Sequence, residues 1–325
     1  MGMNILQLSD LHIGKELDEQ RCLDILKRNL ETLLHSIIDA LDKESLNSKI
    51  DKITVTGDIF DCKVFEEREG ISNYLNTFSM AVCFFENLIK NVNSKGNNNL
   101  SIEDLIVIPG NHELNRPNIK SGEAYSKPDV HFQKYREFLR LLYKGMFDRL
   151  YPEPDSNKHI VRIVLDENKN TIIIGFNSVN FYWSFQKPSK EIKHEYFSEN
   201  DFGAISFEQI TYVRNFLKNV KNLEKYSIVA LTHHHFSQYE ERTLDYHDNS
   251  AIRNEETFLK FLSDFNVKLI LHGHKHQTID RLISTTFDLS KPIRVIPAIG
   301  CGSTTAAGAD KKQFNGNETL YNMLV

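Results

Sequence analysis

The stretch Lys52-Ile53-Thr54-Val55-Thr56-Gly57-Asp58-Ile59-Phe60-Asp61 decides how the rest of the chain is read. Its first half is a short, β-branched run of the kind that fills a buried strand. Its second half turns on a glycine and then delivers two carboxylates. The same pattern occurs four more times. Residues 4–8 lead into Ser9-Asp10-Leu11-His12, and Leu105–Ile108 leads through Pro109 into Gly110-Asn111-His112-Glu113. Ser227–Leu231 leads to His233, His234 and His235, and residues 267–271 lead to Gly273-His274-Lys275-His276.

Taken singly, each of these residues has an ordinary reading. Asp and Asn cap helices and fill turns, and an isolated histidine is most often a surface or packing residue. Taken together they follow five strand candidates. In open α/β sheets, ligands bind beyond the carboxyl ends of strands, so five such ends point to one place. The donor set is oxygen and imidazole with no thiolate, which suits Mn, Fe, Zn or Ni. Seven donors (Asp10, His12, Asp58, Asn111, a histidine of the 233–235 run, His274 and His276) exceed what one tetrahedral ion uses. Two ions sharing a carboxylate, about 3.5–4 Å apart, are the natural count. Gly57, Gly110 and Gly273 are expected to let the backbone turn just before each ligand. His272 reads as a packed strand residue, and His35, His131, His159, His194 and His247 read as surface residues.

The rest of the chain fits an α/β framework. Apolar residues recur at helical spacing from Leu23 to Leu41, from Ile71 to Val92 and from Phe132 to Leu142. Residues 160–165 and 171–176 flank a polar turn and predict a hairpin. Residues 207–220 and 255–265 predict helices, and 279–284, 293–299 and 319–325 predict late strands. Strand–helix alternation followed by strand-rich segments argues for layered α/β architecture with a mixed sheet or sandwich. No linker divides the sequence, so one domain over residues 1–325 is expected. Long polar insertions fall at 114–130, 183–205 and 238–254, and loops of that length in compact domains are often functional. Tyr182, Trp183 and Phe185 read as a loop anchor or a base-stacking platform. The last strand-like run reaches the final residue, which leaves room for a further domain or protein partner.

Composition narrows the partners. The chain has 325 residues, 39 basic and 44 acidic, a formal charge of −5. It lacks the basic run that a non-specific duplex binder shows. The four cysteines form no C-x-x-C pair, which argues against a zinc ribbon or a redox centre and for reduced thiols in a cytoplasmic protein. No apolar run approaches the ~18 residues of a membrane span, and no signal peptide is visible.

The five blocks D-x-H, G-D-x-x-D, G-N-H-E, His after a strand, and G-H-x-H resemble the calcineurin-like metallophosphoesterase family. They occur in the family's order from Asp10 to His276. The resemblance implies a four-layer α/β/β/α sandwich of two mixed sheets. It implies that Asp10, His12, Asp58 and His276 bind one ion, and that Asp58, Asn111, one of His233–His235 and His274 bind the other. His233 is favoured because it leaves the strand first, with His234 as the alternative. His112 resembles the family's outer histidine, which serves the leaving group. Glu113 resembles its orienting carboxylate, and Asp61 a residue that holds a ligand imidazole. Arg116 lies close enough in sequence to reach a phosphate oxygen.

The implied activity is hydrolysis of a phosphodiester, of small or cyclic nucleotide type, by hydroxide bridging two divalent ions, with Mn favoured. A metal-dependent DNA or RNA nuclease, or a non-catalytic binding module on the same fold, is the alternative. The implied partner is therefore a phosphoester, nucleotide or nucleic acid included, and not a membrane.

Overall fold

The computed structural model describes residues 2–14, 22–43, 49–61, 64, 74–95, 98–114, 132–152, 159–179, 203–236, 251–276, 278–285, 294–302 and 322–324. Strands β1 (Ile5–Leu8), β2 (Lys52–Thr56) and β3 (Leu105–Ile108) run parallel, and β10 (Asn322–Leu324) adds antiparallel to β1, giving the order β10-β1-β2-β3. The second sheet comprises β4 (Arg162–Asp166), β5 (Thr171–Gly175), β6 (Ser227–Leu231), β7 (Val267–His272), β8 (Ile279–Thr285) and β9 (Arg294–Gly300), in the order β4-β5-β6-β7-β9-β8. Its centre is parallel and its two outer pairs, β4·β5 and β8·β9, are antiparallel. Both sheets are thus mixed, as the resemblance implied.

Side-chain alternation creates the layers. In β3, Leu105 and Val107 face the helices while Ile106 and Ile108 face the other sheet. In β6, Ile228 and Ala230 face outward while Val229 and Leu231 face inward. Ile5, Ile106, Ile108, Ile173, Val229, Leu231 and Leu271 therefore form a dry seam between the sheets. Helices α1 (Cys22–Lys43), α2 (Tyr74–Ser94), α3 (Gln133–Tyr143) and the single turn α4 (Phe147–Leu150) cover the first sheet. Helices α5 (Phe207–Asn219) and α6 (Glu255–Asp264) cover the second. The result is the α/β/β/α sandwich.

The helices sit where the apolar spacing put them. α2 buries Thr77, Phe78, Ala81, Phe84, Phe85, Leu88, Ile89 and Val92, three and four residues apart along one face. Residues 71–73, read as its first turn, lie outside the described residues. α4 was not expected, because one turn carries no period to read. Phe147, Leu150 and Tyr151 pack under the first sheet, and Tyr143 Oη donates to the Leu105 carbonyl at 2.9 Å. Of the histidines read as surface residues, His35 is exposed but His159 is buried.

At the end of the sandwich opposite the strand carboxyl ends, charge fastens the sheets. Lys52 on β2 reaches Asp104 at 2.5 Å and Asp166 on β4 at 3.4 Å, and Lys169 reaches Asp51 at 2.8 Å. Among the described residues no helix is long and apolar enough to cross a membrane, and neither Cys83 nor Cys301 forms a disulfide.

The seam makes a specific prediction. Ile173 is fully buried within it, and truncation to alanine should cost about 2–5 kcal/mol. Leu282, on the edge strand β8, is 73% exposed, and Leu282→Ala should stay within about 0.5 kcal/mol of the parent. Urea denaturation of the two variants side by side checks this, and equal losses would mean that the two sheets are not packed through this seam.

Candidate metal centre

Because β1–β3 and β5–β7 are parallel within their sheets, their carboxyl ends deliver the five motif loops to one edge of the sandwich. The loops after β1 and β2 extend the ladder beyond the strands. Asp10, His12 and Ile13 donate their amides to the carbonyls of Gly57, Asp58 and Ile59 at 3.1, 3.0 and 2.8 Å. The second sheet joins through side chains. Gln7 Nε2 donates to the His272 carbonyl at 3.0 Å, and His233 Nδ1 donates to the Thr56 carbonyl at 2.8 Å.

Two sets of side-chain donors gather there. Asp10, His12 and His276 form one group, and Asp58, His233 and His274 form the other. In the first, the Nε2 atoms of His12 and His276 lie 3.1 Å apart, and His276 Nε2 lies 3.4 Å from Asp10 Oδ1. In the second, His233 Nε2 lies 2.9 Å from Asn111 Oδ1, 3.0 Å from His274 Nδ1 and 3.5 Å from Asp58 Oδ1. Asp58 stands between the groups. Its Oδ1 faces His233, and its Oδ2 lies 4.0 Å from His12 Nε2 and 3.9 Å from His112 Nε2.

These residues fit divalent ions by their chemistry. A carbonyl can only accept, so the hydrogen of a neutral His233 sits on Nδ1 and its Nε2 is a bare lone pair. With the Asn111 amide in this orientation, that lone pair faces an oxygen, a contact that is repulsive by itself and is relieved by a cation between the two. Donors around one ion bound at about 2.0–2.1 Å sit roughly 3.0–3.4 Å from one another, close to the spacings found here. Of the histidine run, His233 joins the group. His234 Nδ1 instead meets Ser178 Oγ at 2.8 Å, and the His235 ring stacks at 6.2 Å from His274.

The electrostatics agree. Burial alone would raise the Asp58 carboxyl, but the imidazoles of His112, His233 and His12 outweigh it and hold Asp58 below the usual carboxylate range. Asp10 is likewise held low, its burial outweighed by His276 and His233. Burial lowers His12, and it lowers His274 well below the usual imidazole value with the help of His234, His233 and His235. Asp58 and Asp10 are thus favoured as carboxylates, and His12 and His274 as neutral imidazoles, the forms in which such groups ligate metals.

The backbone is strained where these groups are presented. Asp10, His12, Asp58, His274 and His276 all have positive φ, between 45° and 75°. They make up half of the ten non-glycine residues of that kind among the described residues. Left-handed backbone costs about 1–2 kcal/mol per residue and gathers at functional sites. The glycines act differently from one another. Gly57 adopts the left-handed turn expected of it, with φ at 91°. Gly110 has φ at −104°, and its requirement is closeness: a Cβ there would collide with the Asp58 carboxylate and amide. A Cβ at Gly273 would strike Ser9 Oγ.

Glu113 is fully buried. Its Oε2 accepts the amides of Asp58 and Gly110 at 2.9 and 2.6 Å, and its Oε1 accepts that of Phe60 at 2.9 Å. The residue expected to orient His112 thus holds main chain, tying the loop after β2 to the loop after β3. Burial and the negative charge of Asp58 raise its carboxyl, against the pull of the three amides. The His112 amide donates to Asp58 Oδ1 at 3.0 Å, and its side chain is 26% exposed. The carboxylate gathered with the rings of His12 and His112 is that of Asp61. Arg116, Tyr182, Trp183 and Phe185 lie outside the described residues, as does most of each insertion. Ser178 and the Thr56 carbonyl were not singled out in the sequence, where nothing marks a hydroxyl or a main-chain oxygen as a partner of distant loops.

Replacing Glu113 by glutamine leaves one oxygen where three amides need two. The Phe60 amide, or the pair at Oε2, then faces an NH₂ group. Glu113→Gln should cost about 1–3 kcal/mol, the penalty for a buried donor left unpaired, read as a lowered urea midpoint at unchanged m-value. An unchanged midpoint would show that the carboxylate does not hold the two loops.

Among solved structures, the chain is similar to a dimetal phosphatase from Danio rerio, with a TM-score of 0.51 and 11% identity over 93% of this chain and 87% of that one. It is also similar to a purple acid phosphatase from yellow lupin (Lupinus luteus) seeds, with a TM-score of 0.46 and 11% identity over 98% of this chain and 47% of that one. No curated protein sequence matches it. A family model described as calcineurin-like phosphoesterase matches residues 3–278. That match covers most of the sequence and all five motif loops, and the chain belongs to the calcineurin-like phosphoesterase family.

Proposed function

We propose that this chain is a two-metal phosphodiesterase. The observation that carries the reading is Asp58, which turns one carboxylate oxygen toward His233 and the other toward His12 and His112. Asp10, His12, Asp58 and His276 would hold one divalent ion. Asp58, Asn111, His233 and His274 would hold the other, so that Asp58 is shared. Donors of oxygen and imidazole suit Mn, Fe, Zn or Ni, and Mn is favoured. When bound, such a pair polarises a phosphoryl oxygen and supplies a hydroxide nucleophile at neutral pH.

The protein groups do the remaining work. His112, one-quarter exposed and beside Asp58, would give a proton or hydrogen bond to the departing alkoxide. Asp61, gathered with His12 and His112, would hold the ring that does so. Glu113 would keep the two loops in register through their amides. Arg116 is proposed as a phosphate contact from the sequence alone. The acidic balance of −5 and the lack of a basic run support a small or cyclic nucleotide over DNA or RNA. A phosphomonoesterase is the second reading, favoured by the Danio rerio fold neighbour, itself a dimetal phosphatase.

The experiment strips the protein with chelator, reloads it with Mn²⁺, and compares bis-p-nitrophenyl phosphate with p-nitrophenyl phosphate and a single-stranded oligonucleotide. Diester cleavage that needs metal supports the proposal. Cleavage of the monoester alone establishes the second reading, and oligonucleotide cleavage establishes the nuclease. Two bound ions with no cleavage of any of the three would leave a binding module.

Two substitutions separate the roles. His112→Ala should retain both ions by elemental analysis and lose about 10²–10⁴-fold in turnover, and full activity would remove His112 from the chemistry. Asp58→Asn should lower the content of both ions together, whereas loss of one ion alone would show that Asp58 is not shared.

A further inference from the structure

We propose that Ser178 is a positioning residue for this centre. Its hydroxyl fixes the turn after β6 and locks His234 in one ring tautomer, which leaves His233, of these two neighbours, as the one that offers a bare nitrogen. The inference rests on the two-ion reading given above for its functional meaning, though not for its geometry.

Ser178 is fully buried, just beyond the end of β5. Its Oγ lies 3.2 Å from the His233 amide, 3.1 Å from the His234 amide and 2.8 Å from His234 Nδ1. A hydroxyl accepts twice and donates once. The two amides fill its acceptor positions, so its single proton goes to His234 Nδ1. A neutral His234 therefore carries its own hydrogen on Nε2. His233 is the opposite case, since its Nδ1 donates to the Thr56 carbonyl at 2.8 Å and its Nε2 is bare. Neighbouring histidines thus hold opposite tautomers, and the partners of their Nδ1 atoms decide which one can ligate.

The ring of His234 is backed on one side by main chain. A Cβ added at Gly203 would lie 2.5 Å from His234 Cβ and 2.6 Å from its Cγ, so the main chain at Gly203 already lies against the ring. Thr232 Oγ1 donates to the His234 carbonyl at 2.9 Å and closes the turn from the other side.

Ser178 is itself held by α5. Gln209 accepts the Asn177 amide through Oε1 and donates to the Asn177 carbonyl through Nε2, both at 2.9 Å. Asn177 Oδ1 accepts the Val179 amide at 3.0 Å, and the Ser178 carbonyl accepts the Ala204 amide at 2.8 Å. Every link is a short hydrogen bond between groups with no access to water. A helix on the outer face of the second sheet therefore sets the serine that sets the histidines.

The test uses the full chain, uniformly ¹⁵N-labelled and stripped with chelator, as wild type, Ser178→Ala and Ser178→Thr. Two-bond ¹H–¹⁵N spectra of the rings report the tautomers without any metal. The expected result is His233 protonated on Nδ1 and His234 on Nε2 in wild type and in Ser178→Thr, and loss of the single His234 tautomer in Ser178→Ala. Calorimetric titration with Mn²⁺ is then expected to show about 10–100-fold weaker binding of one of the two ions in Ser178→Ala, with Ser178→Thr near wild type. A wild-type His234 carrying its hydrogen on Nδ1, or a Ser178→Ala variant with unchanged rings, overturns the proposal. So does unchanged affinity for both ions in Ser178→Ala. Should wild type bind fewer than two ions, the two-metal reading fails by itself, and the ring spectra alone decide the role of Ser178.

Discussion

The hydrogen bond from His233 Nδ1 to the Thr56 carbonyl, 2.8 Å long and shielded from water, joins the two sheets at the edge where the motif loops meet. Thr56 closes β2 and His233 follows β6. The bond therefore sets the separation of the sheets at the centre, and it fixes which nitrogen of His233 faces Asp58, Asn111 and His274. A dry seam of isoleucine, valine and leucine holds the sheets face to face. That seam is non-directional and could be satisfied by small slides of one sheet over the other. The histidine bond, with Gln7 Nε2 on the His272 carbonyl, selects one alignment.

Given that alignment, the centre works against two costs. Five donor residues sit in left-handed backbone, and several carboxylates and imidazoles are deeply buried together. The strain is met by continuing the parallel ladder past the ends of β1 and β2, and by the buried carboxylate of Glu113 on three amides. The burial is met by pairing, since the imidazoles lower Asp58 and Asp10 against the effect of desolvation. Such an arrangement concentrates donors at spacings that suit cations, which is the physical content of the family's five motifs in this chain.

Much of this was legible in the sequence because the two relevant periods are short-range. Strands β2, β3 and β6 were read at the bounds the structure gives them, since short β-branched and aliphatic runs that stop at Gly57, Pro109 and the polar Thr232-His233 have sharp ends. α2 was read from its apolar spacing, and its expected start at Ile71 lies outside the described residues. α4 escaped because a single turn has no period. The roles of the glycines were legible only in part. Gly57 turns as expected, but Gly110 and Gly273 are required by the approach of Asp58 and Ser9, residues distant in sequence. The reading of Glu113 as the carboxylate that orients His112 came from the family resemblance, whereas its oxygens here accept main-chain amides of the loops after β2 and β3.

The sequence by itself determined the strands and the longer helices, the layered α/β class, and which residues carry metal-type donors. Each of these depends on residue type and on spacing within one segment. Only the tertiary structure decided that His233 rather than His234 meets Asp58, that Asp58 divides its two oxygens between two groups, that Glu113 binds main chain, and that Ser178 and Gln209 stand behind the histidine run. Each of these depends on a contact between segments separated by tens to hundreds of residues. The direction of a ring nitrogen or a carboxylate oxygen is set by the partner that packing brings to it, and no local pattern records that partner.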